Sequence, residues 1–454
     1  MQSPDSARVL ALLKRHGWNS NSFQVLEPGY RYWFEGDDAC IAYVEAGRAW
    51  VVAGAPIAPP GRFAELIAAF RERARAAGKR VCCFGTQERF RERVGWPALQ
   101  IGEQPTWTPA LWEAGLRENA GLREQLRRAR AKGVLVRRVL EGELAGPDAP
   151  LRRRIDGLIA RWRAGRPMAP MGFLVQVEPY AFPEERLGFV AEHEGRVVGF
   201  LGVIPVYARG GWFLEDFLRD PAAPNGTIEL LIDAGMRAAA AAGVPYATLG
   251  LVPLTGQVPL WLRVARRGGA ALYDFEGLRT FKAKLAPTDW EPIYLSFPRR
   301  GLGPVAVLDA LTAFATGGLV RFGLHTLLRG APFVLRAFAW LLVPWIALLS
   351  LRGSRAWFPA DACRWGWVVF DVAICAGLFA LARRWRPRLA LALALLVTLD
   401  ALATLAQVAW LEWLRRDSPG ERLVLLVSVL APALAASVLW SARARRSRIA
   451  RPVV

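Results

Sequence analysis

Short runs of alternating apolar and polar residues fill the first part of the chain. Residues 31–53 predict three strands, YRYWFEG, ACIAYVEAG and RAWVVAG, with turns at Gly36-Asp37-Asp38 and Ala46-Gly47. An amphipathic pattern then predicts a helix over residues 61–77, and the apolar run Arg80–Gly85 predicts a buried strand. The order is therefore a hairpin, a third strand, a helix and a further strand.

The same order returns about 165 residues later. LGFVAEHEG, RVVGFLGVIPVYA and WFLEDFLRD predict three strands, Thr227–Ala242 predicts a helix that stops at Gly243, and Tyr246–Gly250 predicts the next strand. Two similar units in tandem follow from this repetition. Mixed sheets with this order resemble the N-acetyltransferase (GNAT) fold, so we expect an α/β (α+β) protein with tandem GNAT-like units.

Four long apolar runs close the chain, each near the ~20 residues needed to cross the hydrocarbon core of a bilayer. They are Ala331–Leu351, Trp365–Ala382, Leu389–Leu411 and Arg422–Trp440. We therefore divide the chain into a first unit (1–117), a basic connecting helix and strand (118–148), a second unit (149–298), a linker to the membrane (299–330) and four transmembrane helices (331–454).

The charges around these spans predict an orientation. The loop between the second and third spans holds Arg383, Arg384, Arg386 and Arg388, and a basic tail follows the fourth span. The positive-inside rule then places the head and both termini in the cytosol. Asp371 and Asp400 lie within spans, where an acid is costly unless it is paired or faces water. An interhelical hydrogen bond is the simpler interpretation, and a proton or headgroup pathway is the alternative.

Composition adds charge to this picture. The 454 residues are 53% hydrophobic, which excludes a disordered chain, and the formal net charge is +20. Such a field favours polyanionic partners, either nucleic acid or anionic lipid headgroups. Arginine outnumbers lysine 54 to 5, so part of the excess can reflect codon bias, and only the positions of the cations discriminate.

A basic amphipathic helix is predicted between the two units, over residues 119–133. Leu122, Leu126 and Ala129 form an apolar stripe at helical spacing. Two basic rows flank this stripe, and they consist of Arg123, Arg127 and Arg130, and of Arg128 and Lys132. Such a row can bind phosphates, although a basic helix face is more often simply solvated.

Polar groups converge where a strand of the second unit ends and a helix begins. Asp216 and Arg219 close the apolar strand, and Asn225-Gly226-Thr227 starts a helix that carries Glu229. Backbone N–H groups at a helix start favour an anion or a developing oxyanion. A structural interpretation, an Asp216–Arg219 ion pair with Asn225 as an N-cap, remains equally open.

A second cationic segment, YDFEGLRTFKAKL, covers residues 273–285 and brings three cations within six residues. Lys282 and Lys284 are two of only five lysines in a chain that otherwise uses arginine, so codon bias does not explain them. An ammonium group acts as a compact point charge for a phosphate or a carbonyl oxygen.

These motifs resemble the synthase domain of the phosphatidylglycerol lysyltransferase family, whose members move an amino acid from aminoacyl-tRNA to a lipid headgroup. EDFLRDPAAPNGTIELLI, LGLVPLTG and YDFEGLRTFKAKL are the most specific motifs. The opening block HGWNSNSFQVLEPGYRYWFEGDDACIAYVEAGRAWVVAGAPIA and LREQLRRARAKG extend the resemblance over most of residues 10–297.

The resemblance implies a set of functional residues and partners. The catalytic candidates are Asp216, Arg219 and Lys282, the substrate-binding candidates are Asn225, Glu229, Tyr273, Arg279 and Lys284, and the tRNA-binding candidates are Arg123, Arg127, Arg128, Arg130 and Lys132. The implied partners are aminoacyl-tRNA, charged with Lys, Ala or Arg, and phosphatidylglycerol in the inner leaflet of a bacterial inner membrane. Exchange of one oxygen ester for another needs alignment, a proton acceptor and oxyanion stabilisation more than a strong nucleophile, so no nucleophilic triad is necessary. We expect no cofactor and no metal.

Several features bear on this expectation. The coenzyme A pyrophosphate loop is missing, because Arg196–Gly202 lies in a predicted strand. Gly54-Ala55-Pro56 stands where the family usually has Gly-Asp-Pro, and the four-span tail follows the head where larger members carry a flippase ahead of it. The alternatives are a peptidoglycan-bridge type of aminoacyltransferase and a non-catalytic membrane scaffold that binds tRNA or lipid.

Overall fold

The computed structural model of the protein describes residues 4–269, 273–330, 332–358, 360–408 and 419–450. The chain forms two compact units. We call Met1–Arg163 with Pro170–Leu319 the head, and Ala164–Ala169 with Val320–Val454 the tail.

One sheet of 12 strands runs through the described part of the head, in the order β1-β2-β3-β4-β12-β5-β10-β9-β8-β7-β6, with β11 paired to β5 beside this path. The strands are β1 (Arg31–Phe34), β2 (Cys40–Ala46), β3 (Ala49–Ala53), β4 (Arg80–Thr86), β5 (Ala98–Trp107), β6 (Leu135–Arg138), β7 (Leu187–His193), β8 (Arg196–Val206), β9 (Gly211–Arg219), β10 (Ala247–Thr248), β11 (Val252–Pro253) and β12 (Asp289–Ser296).

Helices cover both faces of this sheet. They are α1 (Pro4–His16), α2 (Phe63–Ala76), α3 (Glu88–Val94), α4 (Trp112–Glu118), α5 (Ala120–Ala131), α6 (Pro150–Gly165), α7 (Thr227–Ala241), α8 (Leu260–Gly269), α9 (Phe275–Lys284) and α10 (Gly303–Phe314). A short 3-10 helix, Ser20–Leu26, lies entirely in the core.

The tandem GNAT-like arrangement predicted from the sequence is confirmed. In the first repeat β2 and β3 are antiparallel, and β4 joins β3 in parallel after α2. In the second repeat β8 and β9 are antiparallel, and β10 joins β9 in parallel after α7. The repeats also share strands, because β12 lies between β4 and β5, and β5 pairs with β10. Hydrogen bonding therefore continues through the whole sheet.

The two crossover helices bury equivalent apolar faces. Phe63, Leu66 and Phe70 of α2 pack on one face of the first repeat. In the second repeat, Leu231 and Met236 of α7 are fully buried. Removing each such side chain from water contributes about 1.5–3 kcal/mol, so these faces hold each helix on the sheet.

The basic helix is α5, and its predicted apolar stripe is buried. Leu122, Leu126 and Ala129 pack in the core that also contains α7. Asp233 of α7 is buried at this junction, where its carboxylate accepts from Trp112 Nε1 at 2.9 Å and from Arg130 Nη2 at 2.8 Å. The side chain of Arg237 adds a third bond to Asp233, from Nε at 2.9 Å. Asp233 therefore joins α4, α5 and α7.

The tail contains the predicted apolar helices. Its helices are α11 (Leu319–Leu328), α12 (Pro332–Ser350), α13 (Asp361–Arg383), α14 (Pro387–Gln407) and α15 (Pro419–Ala450). Among the described residues, α12, α13, α14 and the segment Leu426–Arg446 are long and apolar enough to cross a membrane, and a fifth span results only if α10 and α11 count as one. Ala306 and Ala310 of α10 pack in the core of the head, so we count four.

Several sequence predictions about the tail concern single residues. Asp371 of α13 interacts with Trp345 of α12, a contact between two helices of the kind expected for one of the two acids. The other acid, Asp400, accepts from Thr404 in its own helix, from Oγ1 to Oδ1 at 3.4 Å. Ala331, residues 409–411 of the third predicted span and Arg451 of the basic tail lie outside the described residues.

The junction at Asp233 predicts a stability effect. We expect Asp233→Ala to lower the free energy of unfolding by about 1–3 kcal/mol, because the buried indole N–H of Trp112 loses its acceptor. Glu124→Ala is the matched control, since Glu124 also pairs with two arginines, Arg127 and Arg128, but on the exposed face of α5. Exposed pairs contribute at most about 1 kcal/mol. Denaturant unfolding of both variants checks this, and equal effects would contradict it.

Candidate active site

A β-bulge in β9 shapes the candidate site. In the pairing of β8 with β9, Leu201 faces Phe217 and Val203 faces Leu214, so two residue steps on β8 match three on β9. The additional residue falls at Glu215 and Asp216. A bulge re-aims a side chain that regular alternation would direct elsewhere.

Gly202 of β8 makes room for this bulge. A Cβ atom at this position would lie 3.3 Å from Cβ of Asp216, which is tighter than ordinary van der Waals contact. We therefore infer that a glycine at position 202 leaves the space that the Asp216 side chain occupies. The phosphate-loop interpretation is excluded here by the strand conformation of β8.

Asp216 lies in a buried acidic cluster, which we define as Glu27, Arg186, Glu215 and Asp216. Arg186 donates from Nη1 to Glu215 Oε2 at 3.0 Å and from Nη2 to Glu27 Oε1 at 3.3 Å. Gln24 adds a bond from Nε2 to Glu215 Oε1 at 2.6 Å. Arg186 also donates from Nε to the carbonyl oxygen of Ala181 at 2.7 Å, so each of its three nitrogens makes a hydrogen bond.

The cluster contains more acid than cation. Glu27 and Glu215 bind the one guanidinium of the cluster. Two carboxyl oxygens, Asp216 Oδ2 and Glu27 Oε2, are buried without a hydrogen-bond partner among the described residues. Burial, followed by the charge of Glu215, raises the pKa of Asp216 well above its usual range. The same two causes raise the pKa of Glu27. A proton or a bound cation would satisfy these oxygens.

Arg219 and Asn225 form a second group at the start of α7. Arg219 donates from Nη2 to Asn225 Oδ1 at 3.0 Å and to the carbonyl oxygen of Ala223 at 2.7 Å. The structural interpretation is wrong on both counts: Asn225 is not the N-cap, which is Gly226, and no ion pair joins Arg219 to Asp216 among the described residues. Gly226 has φ +95°, and a Cβ there would lie 2.8 Å from Cβ of Ala129 in α5.

Glu229 and Lys284 meet through Gln125 of the basic helix. The side-chain amide of Gln125 donates to Glu229 and accepts from Lys284. Lys284 Nζ also lies 3.8 Å from Glu229 Oε1. Three helices, α5, α7 and α9, therefore converge on one polar contact.

Lys282 is buried on α9 and directed at the backbone beyond β10. Its Nζ donates to the carbonyl oxygens of Leu249, Gly250 and Leu251 at 2.6, 2.9 and 3.3 Å. Burial lowers the pKa of Lys282 to about 7. The three carbonyl acceptors oppose that shift, because a neutral amine keeps only two N–H donors. All three ammonium donors are engaged, so Lys282 offers no free donor to a ligand.

The position of Lys282 relates it to Asp216. β9 and β10 are parallel, and their last paired residues are Phe213 and Thr248. Asp216 and Leu251 each follow three residues later, so both groups lie at the end where the two strands part. No hydrogen bond or ion pair connects Asp216 with Lys282 within the described residues.

The remaining candidates of this segment have aromatic partners. Arg279 lies over the ring of Trp290, with 5.2 Å from Cζ to the centroid. The rings of Tyr273 and Phe275 have centroids 4.8 Å apart. Neither residue contacts Asp216 or Arg219 in the bonds described above.

The basic residues of the α5 segment differ in which groups hold them. Arg130 is bound to Asp233, and Arg123 donates to the carbonyl oxygens of Leu116 and Arg117. Arg127 and Arg128 share Glu124 on the exposed face. Lys132 is also exposed at the end of the helix. All five residues are exposed, but Arg123 and Arg130 are held by groups outside α5, whereas Arg127 and Arg128 bind only Glu124 of their own helix. Arg127, Arg128 and Lys132 are therefore the cations that we assign to a polyanion.

Sequence analysis missed three members of the acidic cluster. Glu27 follows a 3-10 helix and Arg186 precedes β7, so both lie on irregular segments 159 residues apart. No local pattern connects them. Glu215 carries the one usable signal, because two adjacent acids within the apolar strand WFLEDFLRD break its alternation.

The fold and this site define a class: a membrane protein whose head is a tandem GNAT-like unit with a buried polar site in its second repeat. The model of the family "Phosphatidylglycerol lysyltransferase, C-terminal" matches residues 10–297, more than half of the chain. The chain therefore belongs to this family, as its motifs predicted. Membership associates it with transferases that modify phosphatidylglycerol.

Individual relatives agree with this assignment. The "Lysylphosphatidylglycerol biosynthesis bifunctional protein LysX" of Mycobacterium leprae (strain Br4923) is 23% identical over 365 residues, which cover 71% of this chain and 30% of that protein. The protein of the same name from Nocardia farcinica (strain IFM 10152) is 28% identical over 250 residues, or 51% of this chain and 21% of that protein. The chain thus spans less than a third of these relatives.

Two solved structures share the fold. The C-terminal domain of a putative lysylphosphatidylglycerol synthetase from Agrobacterium fabrum has a TM-score of 0.60 at 23% identity, and covers 70% of this chain and 99% of that chain. The L-PGS structure from Bacillus licheniformis has a TM-score of 0.58 at 21% identity, with 72% and 98% covered.

The environment of Lys282 predicts a pH dependence. A lysine in the unfolded chain has a pKa of about 10.4, whereas burial lowers the pKa of Lys282 in the folded protein to about 7. Unfolding therefore takes up a proton in this window, so the free energy of unfolding should rise with pH, by at most about 1.4 kcal/mol per unit. We expect this rise in the wild type relative to Lys282→Met. If the free energy of unfolding of the wild type and of Lys282→Met changed in parallel between pH 7 and 9, the carbonyl oxygens would be keeping the Lys282 ammonium group charged.

Proposed function

We propose that this protein transfers an amino acid from aminoacyl-tRNA to a hydroxyl group of the phosphatidylglycerol headgroup. One observation carries the proposal: a buried carboxyl group, Asp216, has an oxygen to which no described residue donates a hydrogen bond, at the end where β9 and β10 part. Family membership supports the lipid substrate. The tRNA donor follows from the family resemblance of the motifs and from the exposed cations of α5.

Asp216 suits the role of proton acceptor. The lipid hydroxyl oxygen attacks the aminoacyl carbonyl carbon, a new ester bond forms, and the bond to the ribose oxygen of tRNA breaks. Asp216 takes the hydroxyl proton and returns it to the departing ribose oxygen, so no net proton or electron is needed. The raised pKa of Asp216 favours this role, because a carboxylate that is buried beside Glu215 is a stronger base than one in water.

The excess of acid suits the aminoacyl group itself. An amino acid esterified to tRNA carries an α-ammonium group and no carboxylate, so it brings positive charge. Glu27 and Glu215 share one guanidinium, and Glu27 Oε2 has no hydrogen-bond partner within the described ranges. An ammonium at this point would supply the missing cation and hydrogen-bond donors.

The other candidates take supporting roles. Arg219, held by Asn225, would neutralise a phosphate near the start of α7, and Lys284 with Glu229 would bind substrate beside α5. Tyr273 and Arg279 would extend this binding surface along α9. Lys282 acts as a positioning residue, because its ammonium group holds the backbone beyond β10.

The tail gives the reaction its location. Four candidate spans belong to the same chain as the head, so tethering raises the local concentration of a lipid acceptor. We propose the bacterial inner membrane, with the head and both termini in the cytosol and the inner leaflet as the source of phosphatidylglycerol. The excess of arginine on the predicted inner loops supports this orientation.

The full chain in phosphatidylglycerol nanodiscs, supplied with lysyl-, alanyl- or arginyl-tRNA carrying labelled amino acid, tests the reaction. We expect label in the lipid fraction. The transfer rate of Asp216→Asn should be at most about one hundredth of the wild-type rate, because the amide group does not accept the hydroxyl proton. Unfolding should be unchanged or require more denaturant, since an unpaired buried acid is removed.

Controls separate this outcome from the alternatives. Glu141→Gln changes an exposed acid and should retain the wild-type rate. Wild-type transfer by Asp216→Asn would remove Asp216 from the mechanism. Label that enters a muropeptide acceptor and not lipid would favour the peptidoglycan-bridge activity. Aminoacyl esters that only hydrolyse at their spontaneous rate would favour a scaffold.

The exposed cations of α5 lead to a separate prediction. Arg128→Gln with Lys132→Gln should weaken tRNA binding and reduce the slope of log K against log salt by about one unit for each phosphate that the protein no longer neutralises. Arg75→Gln, which changes an exposed arginine on α2, is the control and should leave the slope unchanged. Filter binding over a salt series measures both, and equal slopes in the double variant and wild type would exclude this face.

A further inference from the structure

Helix α8 exposes the side that an ordinary surface helix would hide. Leu260, Trp261 and Val264 are 67%, 41% and 58% exposed, whereas Leu262 is 4% exposed. At 100° per residue the three exposed side chains occupy one continuous stripe of the helix. Surface helices of soluble proteins normally direct such a stripe at the core. Here the apolar stripe faces outward.

The inner side of α8 is fixed to the head. Leu262 and the preceding Val258 are buried. Arg266 donates from Nη1 to the carbonyl oxygen of Leu254 at 3.4 Å and pairs with Glu276 of α9, from Nη2 to Oε1 at 3.3 Å. The outward direction of Leu260, Trp261 and Val264 is therefore set by these contacts.

Two arginines flank the apolar stripe. Arg263 and Arg267 lie at the edge next to Leu260, and both are exposed. Their guanidinium groups make no hydrogen bond or ion pair with any described residue. The outer side of α8 thus combines a tryptophan, two aliphatic residues and two unpaired cations.

We propose that α8 docks the head on the surface of an anionic lipid bilayer. Leu260, Trp261 and Val264 would enter the boundary between headgroups and acyl chains, where tryptophan is favoured, while Arg263 and Arg267 contact lipid phosphates. Helices of this composition lie in the plane of the interface, with the apolar side about 5–10 Å deep.

Charge and composition favour a bilayer over other occupants. A two-fold contact between copies through this stripe would bring four unpaired arginines together, which is repulsive. A nucleic acid would pair with Arg263 and Arg267 but would leave Leu260 and Val264 in water. An anionic bilayer offers phosphates to the two arginines and an apolar layer to Leu260 and Val264. The four candidate spans keep the chain at such a surface.

A fluorescent probe on the full chain tests the docking. In a Cys363→Ser background the remaining cysteines, at positions 40, 82, 83 and 375, are buried, so Val264→Cys can be labelled selectively with a nitrobenzoxadiazole dye. Ala69→Cys, an exposed position on α2, is the matched control. Both are placed in nanodiscs, one copy per disc, made of phosphatidylcholine with or without phosphatidylglycerol.

We expect the dye at position 264 to shift to shorter wavelength and to be quenched by doxyl-labelled lipid, most strongly with phosphatidylglycerol. Adding Arg263→Glu and Arg267→Glu, or high salt, should weaken quenching, and Leu260→Ser with Trp261→Ser should reduce the docked-to-free ratio about tenfold or more. The dye at position 69 should show neither effect.

Two results would overturn the proposal. Emission and quenching at position 264 could match those at position 69 in both lipids, which would leave α8 in water. The shift of the dye at position 264 to shorter wavelength could instead require two copies per disc, which would assign the stripe to a contact between copies. No step of this experiment depends on amino-acid transfer, so a failed transfer reaction and a failed docking are distinguishable.

Discussion

The parting of two parallel strands is the constraint on which the site depends. β9 and β10 pair only through residues 212–213 and 247–248, and beyond this point each strand needs new partners. On the β10 side, Lys282 satisfies three successive carbonyl oxygens with one ammonium group. On the β9 side, a bulge opposite Gly202 accommodates Asp216. Backbone hydrogen bonding thus places a cation and a carboxyl group at the same end of adjacent strands.

The β10 side and the β9 side differ in how many of their polar groups have hydrogen-bond partners. Each N–H group of the Lys282 ammonium has a carbonyl acceptor, so Lys282 has no donor left for a ligand. The acidic cluster is not fully satisfied, because three carboxyl groups stand beside the one guanidinium of Arg186, and two of their buried oxygens lack partners in the described part of the chain. Buried polar groups are nearly always paired in native proteins. An imbalance of this kind is consistent with the proposed site, because either a proton or a cationic group of a substrate would satisfy these oxygens.

Periodicity predicted most of the elements and fewer of the contacts. β2, β3, α2, β8, β9 and α7 follow regular alternation or helical spacing, and these are local properties of the sequence. Asp216 was singled out at the end of an apolar strand and Lys282 as one of only five lysines, and both also lie in motifs that resemble a family. Glu27 and Arg186 were not found, because they come from irregular segments that only the folded sheet brings together. The insertion of β12 between β4 and β5 was hidden for the same reason, since strand pairing over long separations leaves no local signal.

One segment connects the membrane contact proposed for α8 to the site. The chain leaves β10, gives its carbonyl oxygens at residues 249–251 to Lys282, passes through β11 and α8, and returns in α9, which carries Lys282. The Arg266–Glu276 pair joins α8 to α9 within this loop. The docking surface proposed on α8 and the backbone contact of Lys282 therefore belong to one segment of the chain, on either side of the Arg266–Glu276 pair.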